Sequence, residues 1–337
     1  MKPTKENPRY SAVITFLTGE QYSVTPIMIS LELSHQKDQL AQTATLHLMN
    51  INYKGRWTNT LFKVRQRVFI YANDGERNEE VFRGFVWSVD YTSSTDTREL
   101  VLRCYDNLIF LQESEDAAFF PAGWSTESIL QNLFSRWNIP LKLNYEGITH
   151  SKLALRGTLA DLITSDVLEP ARKQTGLKPA IVMEKDTVVV RTAGDNENFY
   201  SIVGASNAIH TKNSTTMDGM TTQVVILGKS DNAGKTPVEA VVTGDTDKYG
   251  TLQKLQDRNE DATLATAKQE AQTVINEHGT PKREYELKCS DIPWVRKGDR
   301  IFISVGGIYK APLVVWGVDR SISDSAKEMT LTMEDFG

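Results

Sequence analysis

Cysteine is scarce. The 337 residues hold two, Cys104 and Cys289, which lie 185 positions apart with no ligand spacing around either. A disulfide framework and a zinc site are therefore both excluded as organising devices. Positive charge is not in excess: Lys plus Arg is 38 against 43 for Asp plus Glu, a net charge of −5 with a pI near 5.7. A chain built to grip nucleic acid needs a cationic surplus, so specific nucleic-acid binding is not expected. No apolar run approaches the roughly 18 residues that a membrane span requires. The opening stretch from Met1 to Tyr10 is charged and has no apolar segment, so it does not read as a signal peptide. Synthesis in the cytoplasm of the producing cell, without membrane insertion, is the expectation.

Reactive clusters are missing too. The histidines at 35, 47, 150, 210 and 278 share no helical or metal-ligand spacing, and His47 alternates away from Leu46 and Leu48, as a solvent-facing strand residue does. No Gly-x-Ser-x-Gly elbow occurs, so a serine hydrolase has no starting point. Glu113–Asp116 is the densest acidic stretch near a strand end and reads as a solvated turn, with nothing to place two carboxylates across a cleft. The most enzyme-like signal runs from Val224 to Thr236, a strand leading into Gly228-Lys-Ser-Asp-Asn-Ala-Gly-Lys235. A phosphate-binding loop needs four residues between its glycines and a helix behind it. Here five residues intervene and Pro237–Val242 reads as a strand, which predicts a hairpin. Trp87 and Trp316 are suited to stacking on a sugar, but their setting predicts core packing. Asn213-Ser-Thr is a glycosylation sequon without a secretory context. No catalytic, cofactor-binding or metal residue is assigned, and no enzyme is expected.

What is present is an ordinary globular composition, 40% hydrophobic and 24% charged, with room for roughly two domains of about 150 residues. The first hundred residues alternate in short runs: Ile27, Ile29, Leu31 and Leu33; then Ala44, Leu46 and Leu48; then Val68–Tyr71, the turn Asn73–Gly75, Val81–Tyr91 and Leu100–Cys104. Short strands at regular spacing predict a small antiparallel barrel or sandwich. The middle changes period. Ser125 opens a helical stripe of Ile129, Leu130, Leu133, Phe134 and Trp137 that stops at Pro140. Thr158-Leu-Ala-Asp161 resembles a capping box ahead of Leu159, Leu162, Ile163 and Val167, with Pro170 bending or ending that helix. Strands return at Ile181–Met183 and Thr187–Arg191. The last third is β again, interrupted by a helix over Asp261–Glu277 with the stripe Ala267, Ala271, Val274 and Ile275 and a stop at Gly279 and Pro281. Strands resume at Tyr285–Cys289, Ile301–Val305, Leu313–Trp316 and Met329–Met333.

An internal echo relates the two β regions. Residues 87–106 laid over 316–335 without a gap are identical at 7 of 20 positions. These are Trp87/Trp316, Val89/Val318, Asp90/Asp319, Ser94/Ser323, Glu99/Glu328, Leu102/Leu331 and Asp106/Asp335. Leu100, Leu102 and Cys104 face as Met329, Leu331 and Met333 do, and Arg67-Val-Phe-Ile lies over Arg300-Ile-Phe-Ile. A fainter third match sets Asp38-Gln-Leu40, leading to Ala44–Leu48, beside Asp218-Gly-Met220, leading to Val224 and Ile226. The second copy then carries about 53 extra residues. The expected division is a first β-barrel over 1–115, an α+β middle over 116–200, and a second β-barrel over 201–337. A helix-containing excursion at about 240–288 interrupts the last.

Several stretches, taken in order, resemble the XkdQ-type tail proteins of defective and temperate phages. They are Phe82-Arg-Gly-Phe-Val-Trp87, Leu102–Leu111, Lys248–Gln253 with the Ala-rich helix after it, Val295–Phe302 and Met329–Met333. Residues before Ser11 and over 192–215 carry none of the likeness. The resemblance implies a mainly β fold of two related tail-tube-like barrels with α+β insertions. It also implies a structural baseplate hub of a contractile tail or a phage-tail-like bacteriocin (a tailocin). Such a hub is a homotrimer whose six barrels meet a sixfold tail tube protein while its other side meets a threefold spike and further baseplate proteins. It resides in the virion or tail-like particle. A carbohydrate-binding adhesin, and after it a nucleotide-binding or cell-wall-degrading enzyme, are the alternatives.

Overall fold

A computed structural model describes residues 7–93, 98–198, 200–204, 208–229, 234, 236–258, 262–305 and 308–336. The chain is mainly β and forms two compact units, one of residues 1–212 with 285–337 and one of Asn213–Glu284.

The large unit is organised by one 13-stranded sheet. Its first seven strands are β1 (Arg9–Thr15), β2 (Gln21–Ser23), β3 (Met28–His35), β4 (Thr43–Met49), β5 (Arg67–Asn73), β6 (Asn78–Ser93) and β7 (Arg98–Tyr105). The other six are β8 (Tyr200–Val203), β9 (Ala208–Thr216), β10 (Lys282–Ser290), β11 (Arg300–Val305), β12 (Ile308–Ser323) and β13 (Lys327–Asp335). From edge to edge the order is β2-β1-β5-β6-β7-β4-β3-β12-β13-β10-β9, with β11 also beside β12 and β8 beside β11. The two halves join where β3 pairs antiparallel with the second half of β12, Val318 opposite His35 and Ile322 opposite Leu31. Alternation drives this sheet. Inward residues such as Leu46, Leu48, Leu100, Leu102, Leu287, Leu331 and Met333 are fully buried in one core fed by both halves.

Pairing makes the two halves copies. β5-β6-β7-β4 and β11-β12-β13-β10 run in the same order, each with a 16-residue central strand. Leu46 faces Leu102 and Leu48 faces Leu100; in the second copy Leu287 faces Leu331 and Cys289 faces Met329. The register slips by one residue at Trp87 in one copy and at Trp316 in the other, so both tryptophans occupy the same β-bulge. Outward, His47 Nδ1 meets Glu99 at 2.5 Å and Lys288 Nζ meets Glu328 at 2.6 Å. His47 is thus half-buried against a carboxylate rather than free in solvent.

Two further expectations about strand placement change. The third echo does not hold: the strand Gln223–Leu227 lies in a separate three-stranded sheet, and β10 occupies the place of β4. Helical and strand periods cannot distinguish two strands of equal hydrophobicity; their partners can. Second, Ile29 is 47% exposed, because a bulge between Met28 and Ser30 turns it away from Leu31 and Leu33.

The middle of the large unit, after β7, has its own core of Leu108, Leu111, Ile129, Leu133, Phe134, Leu162, Val167 and Val190 among others. Ser125 caps the helix Thr126–Ser135 by accepting from Ser128 N, and Thr158 accepts from Asp161 N, as expected. Pro170 neither ends nor breaks the second helix. A π stretch over Leu162–Leu168 immediately precedes it, widening the ladder where proline has no N–H to give, and the helix runs on to Thr175. Glu113–Asp116 does not stay a turn, since the strand Glu115–Phe120 begins inside it and pairs with Leu153–Thr158.

The small unit, Asn213–Glu284, packs the helix Leu264–His278 onto a sheet of Val238–Thr243, Gln223–Leu227 and Gln253–Asp257. The expected stripe Ala267, Ala271, Val274 and Ile275 makes that contact. Thr263 caps the helix; Asp261, its expected start, lies outside the described residues. β9 and β10 lead into and out of this unit, which begins at Asn213, ahead of the start expected for the excursion at about 240.

Candidate functional site

Among the described residues, the chemistry-bearing ones singled out in the sequence do not converge. Gln223–Leu227 and Val238–Thr243 form an antiparallel hairpin, closed by Gly228 N donating to Pro237 O at 2.9 Å. No helix follows the glycine loop; Ser230–Ala233 and Lys235 lie outside the described residues. Among the described residues no group of three His, Cys, Asp or Glu is placed to hold a metal ion. His150 is buried and bonded to Thr126 Oγ1 at 2.9 Å. Burial raises both thiols, that of Cys289 to about 12, so both are inert. Trp316 is buried beside Ala180, Ala193 and Val314. Trp87 departs from expectation: it is 40% exposed, held edge-on against Tyr105 and tilted on Phe110.

Buried polar residues gather instead on the segment Asp291–Asp299, between β10 and β11. It ends in a turn that the first copy repeats over Lys63–Gln66. Gly298 N donates to Val315 O at 2.7 Å and Val315 N to Asp299 O at 2.9 Å. Arg65 N donates to Val86 O at 2.8 Å and Val86 N to Gln66 O at 2.9 Å. The side chains match as well: Asp299 Oδ2 accepts from Arg296 N at 2.8 Å, and Gln66 Oε1 from Lys63 N at 2.9 Å. One ancestral turn thus carries a neutral amide in the first copy and a carboxylate in the second.

In the second copy that segment grips its surroundings at four points. Asp291 is fully enclosed, accepting from Tyr10 Oη and, at 2.9 Å, from Arg320 Nε. Arg320 also donates to Val295 O at 2.5 Å. Burial pushes the Asp291 carboxyl up, while Arg320 and the Tyr10 hydroxyl pull it back. Trp294 Nε1 donates to Asp74 Oδ2 at 2.8 Å in the β5–β6 turn. Lys297 Nζ donates to three carbonyls of the β3–β4 turn, Gln36, Lys37 and Gln39, at 2.8, 2.9 and 2.8 Å. Asp299 pairs with Arg191 of the middle region. First copy, second copy and middle region are therefore cross-linked through nine consecutive residues.

Around Lys297 the electrostatics are those of a closed interior. Burial lowers its ammonium to about 8 and drives His35, whose Nε2 lies 3.2 Å from Leu40 O, down to about 3. Asp106, enclosed but accepting from Gln42 N at 3.0 Å and Leu108 N at 2.9 Å, is pushed up to about 7 by burial. A second clasp fixes the middle region to the first copy, since Asp186 accepts from Arg67 at 2.5 Å and from Arg83. This arrangement holds parts of the large unit together. The grip on Asp291–Asp299 was missed from sequence, where Val295–Phe302 stood out only as a family likeness. Extending the Arg67/Arg300 match backwards sets Lys63–Gln66 over Arg296–Asp299 and finds the shared turn, while the long-range partners leave no signal in the sequence.

A duplicated sheet joined edge to edge, held by a polar segment and carrying an α+β region, defines the class of fold. The chain belongs to the YQBQ-like family, whose model matches residues 32–334. It is 26% identical over 234 residues to the phage-like element PBSX protein XkdQ of Bacillus subtilis, covering 68% of this chain and 70% of that one. In fold it is similar to the 43 kDa tail protein of prophage MuSo2 from Shewanella oneidensis, with a TM-score of 0.72 and 14% identity across 97% of this chain and 98% of the other. It is also similar to a tail protein of Neisseria meningitidis MC58, with a TM-score of 0.70 and 15% identity across 98% of both. The fold is thus that of phage tail proteins.

Proposed function

We propose that the chain is a structural baseplate hub of a contractile phage tail or a tailocin, without catalytic activity. The observation that carries this reading is the duplication within one chain, in which β5-β6-β7-β4 and β11-β12-β13-β10 share their order and the bulge at Trp87 recurs at Trp316. Three such chains present six equivalent modules, which fits a sixfold tail tube protein on one side and a threefold spike on the other. On this reading residues 1–115 and 201–337 are two tube-like β-barrels and residues 116–200 an α+β domain. The small unit is the insert of the second barrel. The likeness to tail proteins and the closed, polar cross-links support a load-bearing part made in the host cytoplasm and resident in the particle. The exposed Trp87 favours a carbohydrate-binding adhesin as a second reading, and sugar binding lost on Trp87→Ala would establish that alternative.

Light scattering behind size exclusion, with and without the tube and spike proteins, tests the hub. A species of about three times 37.8 kDa is the expected result. A chain that stays monomeric inside assembled particles overturns it.

A further inference from the structure

The joint between the two copies uses one strand edge from each, and the duplication leaves the counterparts of both edges without a partner among the described residues. Inside the molecule, β3 lies beside β4 and offers its outer edge to residues 318–323 of β12. The counterpart of β3 is β9, which lies beside β10 at the end of the sheet and has no second neighbour among the described residues. The counterpart of 318–323 on the aligned central strand begins at Val89. Residues 85–93 of β6 pair with β7 on one side, while β5 takes only 78–85 on the other. One side of residues 89–93 is open among the described residues.

Side chains repeat the pattern. Asp319 accepts from Ser34 Oγ at 2.6 Å and from Gln36, both donors brought by the joining strand and the turn after it. Its identical counterpart, Asp90, is exposed and accepts only from its neighbour Ser88 Oγ, at 3.3 Å, among the described residues. The strand that would bring donors is rich in them: β9 reads Ala-Ile-His-Thr-Lys-Asn-Ser-Thr-Thr. Apolar surface accompanies both edges, with Tyr91 45% and Ile209 55% exposed. Unpaired strand edges are templates for further strands.

The geometry points to a second copy of this chain as the occupant: its β9 pairs antiparallel with residues 89–93 of the first, repeating between chains the joint that β3 and β12 make within one. Donor and acceptor edges lie on different parts of the surface, so the contact is head-to-tail and extends chain to chain until a ring closes. The pairing rests on the proposed hub reading and names the surface through which its ring would form. Asp90 then receives donors from the partner's strand, as Asp319 does from Ser34 and Gln36.

Cysteine pairs test it in assembled particles and in the purified chain. Asp90→Cys, Tyr91→Cys and Thr92→Cys are each combined with Ile209→Cys, Thr211→Cys or Lys212→Cys, against buried native thiols that do not compete. Oxidation is expected to give a ladder of disulfide-linked dimers and trimers for the pairs in register, and none for the single variants. Hydrogen exchange on the unmodified chain guards against variants that fail to fold: amides of 89–93 and 208–212 are expected to slow together, roughly tenfold or more, on assembly. Assembly with no ladder from any pair and unchanged exchange at both segments overturns the edge pairing while leaving the hub intact. A chain that is monomeric even in particles overturns both.

Discussion

Arg65 and Gly298 hold the same left-handed backbone conformation, with φ of 71° and 83°, at the same point of two turns that share their hydrogen bonds. Their surroundings differ. Arg65 projects outward, its guanidinium 4.9 Å from the Phe85 ring centre and 5.1 Å from that of Phe110. A Cβ on Gly298 would come within 2.3 Å of the Ala180 Cβ. Gly298→Ala is therefore expected to cost about 3 kcal/mol, from overpacking together with the left-handed strain. Arg65→Gly removes the same strain along with a cation–π contact and is expected to stay within about 1 kcal/mol of wild type. Urea midpoints of the two variants check this, and equal losses would refute the difference in packing.

Lys297→Met leaves the carbonyls of Gln36, Lys37 and Gln39 without their shared donor in a closed site. A loss of about 3 kcal/mol is expected, together with faster proteolysis confined to residues 36–42. Uniform cleavage along the chain would show that the lysine stabilises the whole unit rather than the β3–β4 turn.

Asp291 and Arg320 are coupled. Either Asp291→Asn or Arg320→Met strands a buried charge or a buried donor, and each is expected to cost about 3–5 kcal/mol. The double variant should cost less than the sum by at least about 1 kcal/mol. Strict additivity in a thermodynamic cycle would mean that the pair does not act as one.

His35 gives the acid response a defined window. Its folded value near 3 lies below the ordinary 6.5, so the stability tied to its neutral form is present above pH 6.5 and is lost as pH falls towards 3. The slope is about 1.4 kcal/mol per pH unit. Asp106, raised to about 7, acts with the opposite sign, contributing stability below about pH 4 that is lost as pH rises through 7. His35→Asn is expected to remove the first slope and to leave the second exposed. Stability measured from pH 4 to 7 should therefore fall with rising pH in the variant more steeply than in wild type. Identical profiles would contradict a buried neutral imidazole.

Sequence alone determined the local features. Alternation located strands such as Ala44–Leu48 and Leu100–Cys104, Ser125 and Thr158 marked helix starts, and Trp87 over Trp316 set the register of the duplication. These signals are legible because they depend on residues close in the chain, or on a repeat that keeps its spacing. Tertiary structure decided the partners. It put β10, rather than Gln223–Leu227, in the place of β4, turned Ile29 outward through a bulge, and carried the second helix past Pro170. It also drew Tyr10, Asp74, Arg191 and the carbonyls of Gln36, Lys37 and Gln39 around Asp291–Asp299. Each of those contacts joins groups dozens to hundreds of residues apart, and what selects them is the burial of charge, which forces every enclosed donor and acceptor to find a partner.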